Sequence, residues 1–167
     1  MFKTIARLSL CIALSVSTSQ SAMADDTVQP LLKISGDIAL EPGETALSLD
    51  LQALRQLPET TFQTSTIWTE GVQTFTGVSL VDLMAELGVK DGIIVATAIN
   101  DYAVEIPLSD AVEGGPIIAY LMDGAEMTVR DKGPLWVVYP YDSQSAYRTE
   151  VVYSRSIWQL DRLDIVQ

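Results

Sequence analysis

The residue types that most often carry out chemistry are scarce in this chain. Histidine is absent from all 167 residues and cysteine occurs once, at Cys11. A Ser-His triad and an imidazole-based metal site are therefore impossible, and a thiolate could come from one position only. The sequence carries no G-x-S-x-G, HExxH, Walker A or EF-hand pattern. Carboxylates are plentiful, with 22 Asp and Glu against 10 Lys and Arg. Any pair of them could serve as general acid and base, but so many candidates leave no two distinguished from the rest.

The formal net charge of −12 sets the kind of partner. Phosphate backbones need clustered Lys and Arg, so nucleic acid is excluded as a partner, and an anionic membrane surface is disfavoured for the same reason. The first residues supply an address. Lys3 and Arg7, the apolar stretch Leu8 to Val16, and Ala22-Met23-Ala24 read as a secretory signal over residues 1–24, too short to span a bilayer. Cleavage there removes Cys11, so the expected product is one exported, periplasmic, disulfide-free and more acidic domain over residues 25–167, with no membrane insertion of its own.

The elements that would position functional groups follow from periodicity. Leu31 to Ser35 suits a first strand. Asp50 caps a short helix bearing Leu51, Leu54 and Leu57, stopped by Pro58. Thr60 to Trp68 alternates as a half-buried strand does. Ser79 and Asp82 form a capping-box pattern ahead of Leu80, Leu83, Met84 and Leu87, and Gly88 suits a left-handed cap. Ile93 to Ile99 and Tyr102 to Leu108 predict a hairpin around Asn100-Asp101, and Ser109 to Val112 a helical turn. Strands are expected at Ile117 to Met122, at Leu135 to Tyr139 and at Trp158 to Val166. The fold class is α+β, a mainly-β domain of mixed sheets with a few short helices.

Three segments in this order resemble the molybdopterin-binding domain of the sulfite oxidase type. They are Phe75 to Met84, similar to a G-V-x-L-x-D-L-L strand-to-helix junction; Asn100 to Leu108 followed by Ile118 to Gly124; and Gly133 to Pro140 with Trp158 downstream. The resemblance covers most of residues 60–166. It implies a sulfite oxidase molybdopterin-binding-like fold and, in the enzymes, a molybdenum-ligating cysteine on the strand that here runs Thr64-Ser65-Thr66-Ile67-Trp68. No cysteine stands there, and Trp136 replaces the arginine that follows the Pro-Leu of the motif. A threonine hydroxyl is a poor substitute for a soft thiolate, and a phosphate loses its bidentate guanidinium. No redox cofactor is therefore expected.

The chain is also similar to the periplasmic pterin-binding regulators, degenerate members of this fold. That likeness implies a free pterin as ligand and, as partner, the periplasmic domain of an inner-membrane signalling enzyme that makes or degrades cyclic di-GMP. Asp101 or Asp123 could accept the two donors of a pterin edge. Trp68, Tyr102, Trp136 or Tyr139 could stack on its face, with Thr66 and Asn100 beside them and Arg155 meeting a carbonyl. Plainer roles are open for the same residues: turns for Asp101 and Asp123, core packing for Trp136 and Tyr102, a solvated strand charge for Arg155. Two other functions stay open on sequence: a molybdopterin-dependent oxidoreductase domain, and an exported protein-interaction module with no ligand.

Overall fold

The computed structural model describes residues 30–167. The expected signal over residues 1–24, with Cys11, lies outside the described residues. Ten strands and three short α-helices form two sheets. The strands are β1 (Leu32–Gly36), β2 (Leu47–Leu49), β3 (Glu59–Ser65), β4 (Val72–Ser79), β5 (Ile93–Ala98), β6 (Ala103–Pro107), β7 (Ile117–Met122), β8 (Ala125–Glu126), β9 (Trp136–Val138) and β10 (Leu160–Val166). The helices are α1 (Leu51–Leu54), α2 (Leu80–Glu86) and α3 (Glu150–Arg155). No helix among the described residues is long and apolar enough to cross a membrane.

The first sheet runs β2-β1-β10-β5-β6, and its only parallel pair joins β1 to β10. The second is antiparallel, β3-β4-β7-β8, with β9 also paired to β7. Both sheets contribute to one core, in which Leu32, Ile34, Ile94 and Leu163 of the first join Phe75, Val78, Ile118 and Trp136 of the second. Alternation explains the expected strands: in β5 every second residue is buried, and in β10 the same alternation runs from Leu163 on, past a bulge between Leu160 and Arg162.

Helix chemistry follows the sequence closely. Asp50 accepts the Ala53 N–H at 2.6 Å, and α1 ends after a single turn. Ser79 Oγ accepts from the Asp82 N–H at 3.1 Å and donates to the Asp82 carboxylate at 2.5 Å. The carboxylate thus meets the hydroxyl rather than the backbone N–H that a full capping box would use. At the other end of α2, Gly88 at φ +71° lets Val89 and itself donate to the Met84 and Ala85 carbonyls, a Schellman cap.

Two stretches depart from the sequence expectation. The strand expected over Thr60 to Trp68 ends at Ser65, because Thr66 Oγ1 accepts the Trp68 N–H at 3.0 Å and bonds Thr69 Oγ1, folding residues 66–69 into a turn. Arg155, for which a solvated strand charge was one expected role, lies instead in α3, which is capped by Thr149 Oγ1 accepting the Val152 N–H at 3.3 Å. The last strand likewise starts at Leu160, after Gln159 turns the chain at φ +53°.

Candidate functional site

The turn at residues 66–69, the β5–β6 turn and the segment joining α3 to β10 meet around one cleft of about 320 Å³. That is enough for a small fused heterocycle. Trp68, Asn100, Tyr102, Tyr153, Trp158 and Gln159 line it. The sheet pairing explains why distant residues converge. β10 lies antiparallel to β5, so the chain just before β10 comes level with the turn just after β5, and the Ile99 N–H donates to the Gln159 carbonyl at 3.0 Å.

Trp68 anchors the floor. Its ring makes edge contacts with Trp136, Tyr141, Tyr153 and Trp158 at centroid distances of 5.6–6.2 Å. Beneath it, the Trp136 indole N–H donates to the Ser156 carbonyl at 3.1 Å, and the Tyr141 hydroxyl reaches Ser156 Oγ at 2.6 Å. Burial pushes the Tyr141 phenol up to about 12. Tyr102 and Trp158 are the exposed aromatics of the rim, 56% and 39% accessible.

The polar groups of the cleft are uncharged. Asn100 Oδ1 accepts the Tyr102 N–H at 3.2 Å, and Gln159 Nε2 donates to the Val129 carbonyl at 2.6 Å. Among the described residues, no partner takes the Asn100 NH2 or the Gln159 amide oxygen. The Asn100 NH2 and the Gln159 amide oxygen are therefore open to a ligand that offers both an acceptor and a donor.

Of the residues expected from sequence, the structure brings Trp68, Asn100 and Tyr102 into the cleft, and Thr66 holds the backbone of Trp68. It places the others elsewhere. Trp136 is fully buried behind Trp68 as core. Asp101, at φ +65°, completes the β5–β6 turn and pairs with Arg162 on the surface, which raises the guanidinium pKa further. Asp123 shapes the β7–β8 turn and accepts the Thr74 N–H at 2.8 Å. Tyr139 and Arg155 both donate to Asp110 Oδ2, at 2.7 and 2.9 Å. Burial, then the bond to Asp110, drives the Tyr139 phenol far above its ordinary value. Carboxamides thus stand where carboxylates were expected. Trp158, Gln159 and Tyr153 also line the cleft and were not singled out from sequence: Trp158 and Gln159 fell in the expected last strand, and no element was expected around Tyr153.

The segment that would hold a molybdenum ligand offers only hydroxyls, and these are committed. Thr64 is buried and its Oγ1 accepts the Asp142 N–H at 3.1 Å. Ser65 donates its N–H and Oγ–H to the Asp142 carboxylate at 2.6 and 2.8 Å, holding that carboxyl below the usual range. Among the described residues there is no group of three His, Cys, Asp or Glu placed to hold a metal ion. No guanidinium or ammonium lines the cleft. A phosphorylated, thiolate-held molybdenum cofactor does not fit this donor set.

Residues 31–144 match the oxidoreductase molybdopterin binding domain family. The chain belongs to that family. Among solved structures, the sulfane dehydrogenase SoxCD from Paracoccus pantotrophus superposes on it with a TM-score of 0.59 at 20% identity. The match covers 80% of this chain and 37% of that one, so this family member spans little more than a third of the enzyme chain it resembles. At that identity the likeness establishes the fold, mainly-β mixed sheets of the molybdopterin-binding type. No curated protein matches the chain in sequence.

Proposed function

We propose that this family member binds a free pterin in the Trp68 cleft and, once exported to the periplasm, acts as a non-redox regulator of an inner-membrane signalling enzyme of cyclic di-GMP turnover. The observation that carries the ligand is the pairing of an aromatic cleft with an unpartnered carboxamide donor and acceptor and no charge. A pterin offers a flat face, ring donors and a ring carbonyl, which such walls complement. The regulatory role rests on the resemblance in sequence and on a donor set that suits holding a ligand better than metal-centred redox chemistry.

The family match and the likeness to a dehydrogenase favour a second reading, a molybdopterin-dependent oxidoreductase domain. One preparation separates the two. The full chain is purified in its exported form, assayed for molybdenum, denatured to release any fluorescent pterin, and titrated with a reduced pterin while tryptophan emission is followed. Quenching that saturates, without metal, supports the regulator. Substitutions Tyr102→Ala and Trp158→Ala should each weaken pterin binding about tenfold, as expected for a lost stacking wall. Stoichiometric molybdenum, or no response to any pterin, overturns the proposal.

A further inference from the structure

β3 forms an open edge of the other sheet, with a second groove near its first residues. β3 is the end strand of β3-β4-β7-β8 and pairs with β4 in unbroken register over Glu59–Ser65. The side facing away from β4 is identified by Ser65, whose N–H leaves the sheet to meet Asp142. Hydrogen-bonding direction alternates along an antiparallel strand, so Thr61 and Gln63 turn their N–H and C=O groups the same way. The side-chain contact of Thr61 Oγ1 with Thr76 Oγ1 at 2.8 Å agrees, since facing side chains come closest at pairs that exchange no backbone bonds.

Natural proteins blunt such edges with lysine, proline, bulges or covering loops. β3 carries no lysine or proline, and its register with β4 shows no bulge. The Asp142 loop ties down the last two residues of the strand. A groove of about 680 Å³ borders its first residues, lined by Thr60, Thr61 and Phe62 of β3, by Ser79 of β4, and by Asp82, Glu113 and Pro140. The charged walls are both acidic, on a chain of net −12.

The geometry points to strand addition: an extended, basic segment of a partner protein pairs with the β3 edge at Thr61 and Gln63 and sets Lys or Arg side chains against Asp82 and Glu113. Backbone bonds supply affinity in this mode and alternate side chains supply selectivity. A second copy of this chain is the other self-evident strand donor, and its like charge disfavours it. The inference goes beyond the pterin reading and does not depend on it, because the groove and the Trp68 cleft share no lining residue.

The test uses the full exported chain and a fluorescent peptide of alternating lysine and valine, alongside the same peptide with glutamate for lysine and a lysine–valine peptide N-methylated on alternate residues. Saturable anisotropy is expected for the lysine peptide alone, with slowed amide exchange at Thr61 and Gln63. Gln63→Pro, tolerated on an edge strand, should lower its affinity at least tenfold by removing an edge donor. Glu113→Gln should lower it roughly two- to fivefold at low salt, the scale of an exposed charge pair. Equal binding of the N-methylated or glutamate peptide overturns the inference, as does binding without protection of the β3 amides. A concentration-dependent dimer that Gln63→Pro dissolves would assign the edge to a second copy instead and overturn it as well.

Discussion

Replacing Asp110 by alanine should disturb both stability and the cleft, through one oxygen atom. Asp110 Oδ2 accepts from the Tyr139 hydroxyl at 2.7 Å and from Arg155 Nη1 at 2.9 Å, and the two charged side chains are only 18% and 24% accessible. Removing a partner from a fully buried pair costs about 3–5 kcal/mol, and partial access to water brings this to about 2–3 kcal/mol. In a domain of this size each kcal/mol moves the Tm by roughly 4 °C, so Asp110→Ala should melt about 8–12 °C below the wild type. Asp110→Asn keeps an acceptor for Tyr139 and should lose less. The Arg155 end of α3 is held by this bond, and Tyr153 and Ser154 of α3 line the cleft, so pterin affinity should fall in parallel. The assay is thermal unfolding of Asp110→Ala, Arg155→Met and the double variant, with ligand titration of each. A Tm within about 2 °C of wild type for Asp110→Ala, or single effects that simply add, would refute the coupling.

Further outcomes follow from the same geometry. The depressed carboxyl of Asp142 contributes stability that is full above the ordinary carboxylate range, near pH 4, and is lost as pH falls through the lower folded value. Asp142→Asn should therefore melt about 3–5 °C lower at neutral pH, with the gap closing in strong acid, as a Tm series across pH would show. Tyr139 and Tyr141 have raised phenols, so their contribution is complete below about pH 10 and is lost as pH climbs through the folded values. Alkaline unfolding followed by phenolate absorbance should begin later and run shallower in Tyr141→Phe. Gly77→Ala should cost more than about 3 kcal/mol, because its Cβ would collide with the Ile118 carbonyl and the Ala119 backbone on β7, and denaturant titration measures it.

The strands and caps that local chemistry controls were readable from sequence. Asp50, Ser79 and Gly88 mark helix ends through their own hydrogen bonds or φ, and the Asn100-Asp101 turn follows from two strands that alternate on either side. What local pattern hid was set by long-range pairing. β4 is masked by its continuity with α2: Ser79 is both its last residue and the cap of the helix that begins at Leu80. α3 has only a threonine cap and mixed β-branched residues, so propensity favours a strand while the Asp110 pair and packing against β6 hold it helical. Trp68, Asn100 and Tyr102, named from sequence for their ring and amide chemistry, do come together at the cleft. Trp158 and Gln159 join them only through the β5–β10 register, which no single segment encodes.

β10 occupies the middle of its sheet, between β1 from the start of the described chain and β5. Without β10, β1 and β2 have no bridge to the β5–β6 hairpin, and the Trp158 wall has nothing to stand on. A chain folding from its N-terminal side would thus complete the cleft only when β10 docks between β1 and β5. A chain whose β10 failed to dock would lack both the cleft and the pairing that holds its β5–β6 hairpin in place.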